Sequence, residues 1–150
     1  MKKAALAALV LAATALPALA QQPMKPEEQI KLRKSTMDLI GYNFGSLSAM
    51  AQGKKPFDKD EAARNADLVA QLSALPRRFF GEGTDLEGKT KAKPAIWQHR
   101  ADFDKKMDHM GDEARKLPEA ARSGDMEAFK KQVSETGHAC KSCHDDYKSK

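Results

Sequence analysis

The strongest constraint on the fold is a repeat of mostly apolar residues early in the chain. Its steps alternate between three and four residues, the spacing of a helix that packs in a bundle. The repeat consists of Ile30, Arg33, Met37, Ile40, Phe44, Leu47 and Ala51. Pro26, followed by two glutamates, favours a helix start there, and Gly53 with Pro56 predicts the end.

A second helix is expected to begin near Asp58. This residue is a good N-cap, and Glu61 three positions later completes the pattern of a capping box. The predicted buried face holds Ala62, Ala66, Val69 and Ser73, and Pro76 closes the run or lies in its last turn. Residues 79–93 contain three glycines and no clear period, which predicts a loop. A loop of this length in a compact domain is either functional or loose.

Two more helices complete the pattern. The third is expected to start at Pro94 and to be broken or kinked at Pro118. Its repeat is Ile96, Arg100, Phe103, Met107, Met110, Ala114, Leu117 and Ala121. The fourth is expected from about Asp125, with the repeat Met126, Phe129, Val133, Thr136, Cys140, Cys143 and Tyr147. No stretch alternates like a strand, so we predict an all-α, antiparallel up-down four-helix bundle.

The N-terminus has the pattern of a secretory signal peptide. Lys2 and Lys3 precede the apolar run 4–16, and a small-residue cleavage pattern ends at Ala20. The run is too short to span a membrane. We therefore expect residues 1–20 to be removed and residues 21–150 to form one domain in the periplasm, with no membrane association after cleavage.

Charge and motif content exclude several classes of function. Loss of Lys2 and Lys3 lowers the net charge from +5 to +3, and without a basic run nucleic-acid binding has little support. Two cysteines three positions apart do not make a disulfide-stapled scaffold. Because there is no Ser-His-Asp triad, carboxylate pair or phosphate-binding loop, we do not expect an enzyme.

The string Cys140-Lys141-Ser142-Cys143-His144 carries the functional prediction. On a helix, Cys140, Cys143 and His144 project from one face because they are three and four positions apart. C-x-x-C-H is the attachment signature of c-type haem. The two sulfurs can form thioethers with the vinyl groups, and the imidazole can reach the iron. The cysteines continue the core repeat, so one covalent haem c per chain is expected inside the bundle.

Other roles for the two cysteines have less support from the sequence. A redox dithiol usually lies at a helix N-terminus after a strand, and a structural zinc site needs four ligands. A plain disulfide leaves His144 unexplained.

With these features the chain resembles cytochrome c′, the class II c-type cytochromes. Besides the haem motif, the resemblance rests on Lys25-Pro26-Glu27, Leu32-Arg33-Lys34-Ser35, Lys55-Pro56-Phe57-Asp58, Leu75-Pro76, Phe80-Gly81 with Gly83-Thr84, and Pro94-Ala95-Ile96-Trp97. It covers essentially the whole mature chain. The position of the motif near the C-terminus separates this family from class I cytochromes, which carry it near the N-terminus.

The resemblance implies a left-handed bundle, often a homodimer, with usually five-coordinate, high-spin iron held by His144 alone. It implies binding of nitric oxide and carbon monoxide in an apolar distal pocket, and roles in nitric oxide trapping and electron transfer. The redox partner stays unknown. Tyr42 and Met50 on the first helix either serve a dimer or are merely exposed.

The resemblance also suggests roles for four further residues. Arg33, a charge at a core position that needs a partner, would contact a haem propionate, with Lys34 at the same edge. The alternatives are side chains that extend into solvent. Phe80 would lie in the distal pocket or be an ordinary core residue.

Met37 matches the distal position and would either block the iron or bind it. Ligation by His144 and Met37 together would make a low-spin electron carrier, our second hypothesis. A peroxidase would need distal acid-base groups, and the first helix offers only Arg33.

Overall fold

The computed structural model describes residues 24–150, and the expected signal peptide lies outside them. The helices are α1 (Pro26–Ala51), α2 (Lys59–Leu72), the single turn α3 (Ala95–Gln98), α4 (Arg100–Ser123) and α5 (Met126–Tyr147), with a 3-10 turn at Pro76–Phe79. Within the described part of the chain there is no strand, only one isolated bridge. No helix in this part is long and apolar enough to cross a membrane.

The four long helices form the predicted bundle. Helix α2 packs between α1 and α4, α4 packs on α5, and α5 returns to α1. Helices that follow one another in sequence are therefore neighbours in space, the arrangement of an up-down bundle. The prediction of the fold class is confirmed.

The helix starts follow local sequence signals. Asp58 Oδ1 accepts a 2.9 Å hydrogen bond from the Glu61 amide and caps α2. The carboxylate of Glu61 does not complete a capping box, because it accepts from Ser46 and Lys55 instead. Asp125 caps α5 by accepting from two amides in its first turn.

The core consists of two apolar clusters at opposite ends of the bundle. One gathers residues such as Leu47, Ala66, Leu117 and Phe129, where α1 ends and α5 begins. The other gathers Phe80, Ile96, Phe103, Met107, Met110, Ala139, Cys143 and Tyr147. Met37 packs against both clusters, so it lies where they meet.

The third predicted helix differs from its expected course. It is interrupted at His99, whose backbone leaves the helical region (φ −120°, ψ 46°). On either side, Trp97 Nε1 donates to Gly81 O at 3.1 Å and Arg100 Nη1 donates to Phe80 O at 2.9 Å. These bonds tie both segments to the preceding loop, and Arg100 is exposed rather than part of the core repeat.

Two further expectations are corrected by the structure. Of the two outcomes expected at Pro118, a break does not occur, because α4 continues to Ser123. Leu117 and Ala121 beside it are fully buried, and their packing outweighs the local cost of about 3 kcal/mol for an interior proline. Met50 is not a surface residue, because only 3% of it is exposed and it packs in the first cluster.

Candidate haem site

The C-x-x-C-H motif occupies the last turns of α5. Cys143 is 6% exposed, Cys140 is half-buried, and both are free thiols. Cys143 continues the buried side of the helix that Val133 and Thr136 begin. His144 lies one position further round, at the edge between core and solvent. The three side chains thus share one side of the helix, as the spacing predicts.

The motif forms one wall of a cavity of about 840 Å³. This volume falls within the range of about 300–1,000 Å³ typical of ligand and cofactor sites. The other walls are mainly apolar and come from α1, α4 and the loop before α3. They include Met37, Ile40, Phe44, Phe80, Ile96, Phe103, Met107 and Met110. An apolar cavity of this size with two thiols and an imidazole in its wall fits a covalently attached haem.

An aromatic row supports one side of the cavity. The rings of Phe80 and Phe103 meet edge to face at 4.7 Å, and those of Phe103 and Tyr147 at 5.4 Å. Such contacts restrict ring rotation and stabilise the wall beyond simple burial. Phe80 therefore serves both as cavity lining and as a core residue.

Arg33 is buried beside the cavity, with 3% of it exposed. Its Nη1 donates to Phe79 O (2.9 Å) and Thr84 Oγ1 (3.2 Å), and its Nη2 to Thr84 O (3.0 Å) and Thr90 Oγ1 (2.7 Å). The guanidinium also stacks over the Phe80 ring at 4.3 Å. The alternative of a side chain that extends into solvent is therefore wrong.

The guanidinium of Arg33 has no acidic partner among residues 24–150. Its four hydrogen bonds go to neutral oxygens, and burial lowers its pKa to about 10. A buried charge is costly without an opposite charge. Since Arg33 also lines the cavity, the cavity is suited to an anionic group at this edge.

The loop between the 3-10 turn and α3 closes over the cavity and is fixed at both ends. Arg33 holds its first part, while Lys91 O accepts from Ser149 N (2.8 Å) and Lys93 N donates to Tyr147 O (3.0 Å). Residues 88–92 lie in the cavity wall. The loop is therefore held in place rather than loose, and it joins α1 to the end of the helix that carries the motif.

Burial controls the protonation of the motif. It raises the pKa of the Cys143 thiol to about 11 and raises that of Cys140. Both residues are therefore thiols at neutral pH, unlike a reactive dithiol with a low pKa. Partial burial, and then the charge of Lys148, lowers the pKa of His144. A neutral imidazole has the free nitrogen lone pair that an iron ligand needs.

The end of α5 is braced by polar contacts that sequence reasoning missed. Tyr147 donates a 2.6 Å hydrogen bond to Asp102, and Lys106 bonds Ser142 and Asp146. Their only sequence signal is the place of Tyr147 in the apolar repeat. Thr84 and Thr90 were also missed, because nothing local shows that a threonine will face an arginine 51 or 57 residues away.

The structure brings all seven predicted site residues to this cavity: Arg33, Lys34, Met37, Phe80, Cys140, Cys143 and His144. Lys34 is exposed at the edge of the cavity. His99, His109 and His138 are exposed and do not contribute to the wall. His144 is thus the only histidine of the described residues that lines the cavity.

Comparison with known proteins identifies the family. The sequence profile of the family described as Cytochrome C′ matches residues 28–148. Cytochrome c′ from Rubrivivax gelatinosus is 46% identical over 129 residues, covering 86% of this chain and 100% of that protein. Its crystal structure matches with a TM-score of 0.80, over 85% of this chain and 100% of that chain.

Two further solved structures are similar. Cytochrome c prime from Shewanella frigidimarina matches with 44% identity and a TM-score of 0.82, over 85% of this chain and 99% of that one. A nitric oxide complex of a mutant cytochrome c prime from Alcaligenes xylosoxidans matches with 35% identity and a TM-score of 0.76, over 84% and 98%. The chain therefore belongs to the cytochrome c′ family, whose members bind haem c covalently.

Proposed function

We propose that this chain is a periplasmic haem protein that binds nitric oxide or carbon monoxide at five-coordinate, high-spin iron. Cys140 and Cys143 attach the haem and His144 is the axial ligand. The observation that carries the proposal is the meeting of these three side chains in the wall of one large apolar cavity. When bound, the haem supplies an iron that can take a small ligand or exchange one electron.

The protein side chains prepare the motif for these roles. Burial keeps the two cysteines as thiols and favours the neutral form of His144. Helix α5 fixes all three on one face, so attachment and ligation use the same rigid element. Tyr147 and Lys106 hold the end of this helix against α4.

Met37 controls access to the face opposite His144. It is half-buried and packs against both apolar clusters, so we assign it a blocking role by its bulk. A neutral diatomic gas fits such surroundings, whereas a charged ligand would lose its hydration without a partner. The nitric oxide complex of the Alcaligenes xylosoxidans relative supports this choice of ligand.

Arg33 and Lys34 are assigned to the propionate edge. Arg33 offers a buried positive charge without an acidic partner in the described residues, and Lys34 adds an exposed one beside it. Since the Nη atoms of Arg33 already bind the loop, Arg33 has a second role as an anchor. With a pKa of about 10, its guanidinium stays protonated at neutral pH and cannot act as a general base, which argues against a peroxidase.

A second candidate function is electron transfer by low-spin iron with Met37 as the sixth ligand. The observation that favours it is that the thioether side chain of Met37 and the imidazole of His144 line the same cavity. If Met37 stayed bound to the iron, nitric oxide could not bind there. This candidate and the first one therefore make opposite predictions for nitric oxide.

We also assign a homodimer contact to the outer side of α1. Leu32, Leu39 and Tyr42 are exposed there, and Tyr42 is 81% exposed. Large apolar side chains on one helix face often mark a protein interface. The buried Met50 has no part in it.

The haem assignment is tested with a Cys140→Ser/Cys143→Ser double variant, expressed with the machinery for c-type haem attachment. We expect haem that stays with the wild-type chain on a denaturing gel and is lost from the variant. His138→Ala, an exposed change on the same helix, should retain it. Covalent haem in the double variant would refute the assignment.

A further inference from the structure

The positive charge of the protein is concentrated at one opening. The whole chain has a net charge of +5. Lys2 and Lys3 precede the described part, so residues 24–150 have a net charge of +3. The cavity wall alone holds five cations, Arg33, Lys34, Lys89, Lys91 and Lys148, and one carboxylate, Asp38, a net charge of +4. The rest of the described molecule is therefore slightly negative.

The four lysines of this set, which we call the lysine rim, are all exposed. Lys34, Lys91 and Lys148 make no ion pair within residues 24–150, and Lys89 only approaches Glu27 at 3.7 Å on the open surface. Some basic side chains elsewhere are paired with carboxylates, as in Lys55–Glu61 and Lys106–Asp146, and others are not. The rim differs in that its four lysines gather at one opening, together with Arg33 and only one carboxylate.

Haem does not account for all of this charge. Its two propionates would face Arg33 and Lys34, the residues assigned to that edge. Three lysines of the rim remain, two on the loop and one directly after α5. Together with the propionates and Asp38, the opening would still hold five cations and three carboxylates.

Backbone contacts fix the segments that carry two of the remaining lysines. Ala92 and Lys148 form an antiparallel bridge, and Ser149 N donates to Lys91 O at 2.8 Å. The backbone of Lys91 is therefore held next to that of Lys148, and both residues line the cavity. A pre-organised surface loses less entropy on binding than a flexible one, and a single-sign patch attracts an opposite charge over a distance.

We propose that the lysine rim docks an acidic one-electron redox protein at the cavity opening. This inference rests on the proposed haem site. A reduced partner would pass one electron to ferric iron, or ferrous iron would pass one to an oxidised partner, and no bond forms or breaks. The slight negative charge of the remaining surface orients the encounter, because an acidic partner is repelled there and attracted at the rim.

The first test uses hexacyanoferrate(III) as an anionic probe and compares charge reversals on and off the rim. The rim variant is Lys89→Glu/Lys91→Glu. The matched control is Lys54→Glu/Lys131→Glu, two exposed lysines without ion pairs in the described chain, located near the other end of the bundle. Both variants change the net charge equally, so only the position of the change differs.

We expect hexacyanoferrate(III) to oxidise the ferrous wild-type protein more slowly as salt is added. The rim variant should be about ten-fold slower at low salt and lose most of its salt dependence, whereas the control should change far less. A cationic cobalt(III) complex should show the opposite order. Equal slowing of rim and control variants would overturn the proposal.

The second test does not depend on electron transfer. Lysine acetylation of the wild-type holoprotein is measured by mass spectrometry with and without a glutamate-rich peptide. Protection of Lys89, Lys91 and Lys148 but not of Lys54 and Lys131 supports the rim. Uniform protection contradicts it. Haem content is measured on each sample, so failure of haem attachment, which refutes the proposed function, is distinguished from failure of docking.

Discussion

Arg33 Nη2 donates a 2.7 Å hydrogen bond to Thr90 Oγ1, across 57 positions of sequence. Together with the two bonds to Thr84, it fastens the loop over the cavity to α1. The same guanidinium lines the cavity. Arg33 therefore has two roles. It fixes the position of the loop, and it lies at the edge of the cavity where we place the propionates.

Replacing Arg33 by methionine should release this loop. The loss of hydrogen bonds to a charged group, with their acceptors left buried, should lower the free energy of unfolding by about 3 kcal/mol. Amide exchange in residues 81–92 should accelerate more than in α5. Urea unfolding and exchange mass spectrometry measure both effects. Lys31→Met, on the exposed side of α1, is the control, and equal effects of both changes would argue against the anchor.

Met37→Ala tests the role of the distal side chain. If Met37 blocks the iron by bulk, the variant should keep the high-spin spectrum and bind nitric oxide faster. Met110→Ala, which also enlarges the cavity wall, should affect the entry rate less. Stopped-flow mixing of the ferrous protein with the gas gives the rates. A change from low to high spin in Met37→Ala would show ligation instead.

The hydrogen bond from Tyr147 to Asp102 leads us to expect that the folded protein loses stability in alkali. This hydrogen bond, and then the burial of Tyr147, raise the pKa of its phenol from 10 to about 12. The folded state therefore favours the protonated phenol, and the stabilisation is full below pH 10 and disappears as the pH rises to about 12. Tyr147→Phe should remove this part of the pH dependence.

Urea midpoints of wild type and Tyr147→Phe between pH 8 and 12 make the comparison. Subtracting the two curves cancels the titration of the lysines, which both proteins share. Parallel curves across the alkaline range would contradict the assigned pKa.

A charge on the outer side of α1 should dissociate the proposed homodimer. Leu39→Glu/Tyr42→Glu would place two carboxylates at exposed apolar positions, and like charges repel across a symmetric contact. Sedimentation velocity should show a dimer for wild type and a monomer for the variant. Ser134→Glu, an exposed position on α5, should leave the dimer intact. A monomeric wild type would disprove the assignment.

The fold could be predicted because local signals and core packing agree in most elements. The alternating repeat of α1, the cap at Asp58 and the repeat of α5 each mark a helix that the structure contains. Pro118 shows the limit of this reasoning. A proline disfavours the helix interior locally, but burial of its neighbours keeps α4 continuous to Ser123.

The candidate site was predictable where its residues share one helix. Cys140, Cys143 and His144 lie together because helical geometry dictates it. The partners of Arg33 were not predictable, since they depend on how a loop distant in sequence folds back on α1. The break at His99 has the same origin, because Trp97 and Arg100 bond that loop.

The spectrum of the ferric, haem-loaded mature protein, followed by addition of nitric oxide to the ferrous form, tests the central claim most directly. Electronic absorption and EPR report the spin state and the ligands of the iron. The account predicts high-spin ferric signals and a nitrosyl adduct, with Met37 off the iron. A low-spin spectrum with a sulfur-to-iron band that the gas does not change would contradict it and establish ligation by His144 and Met37.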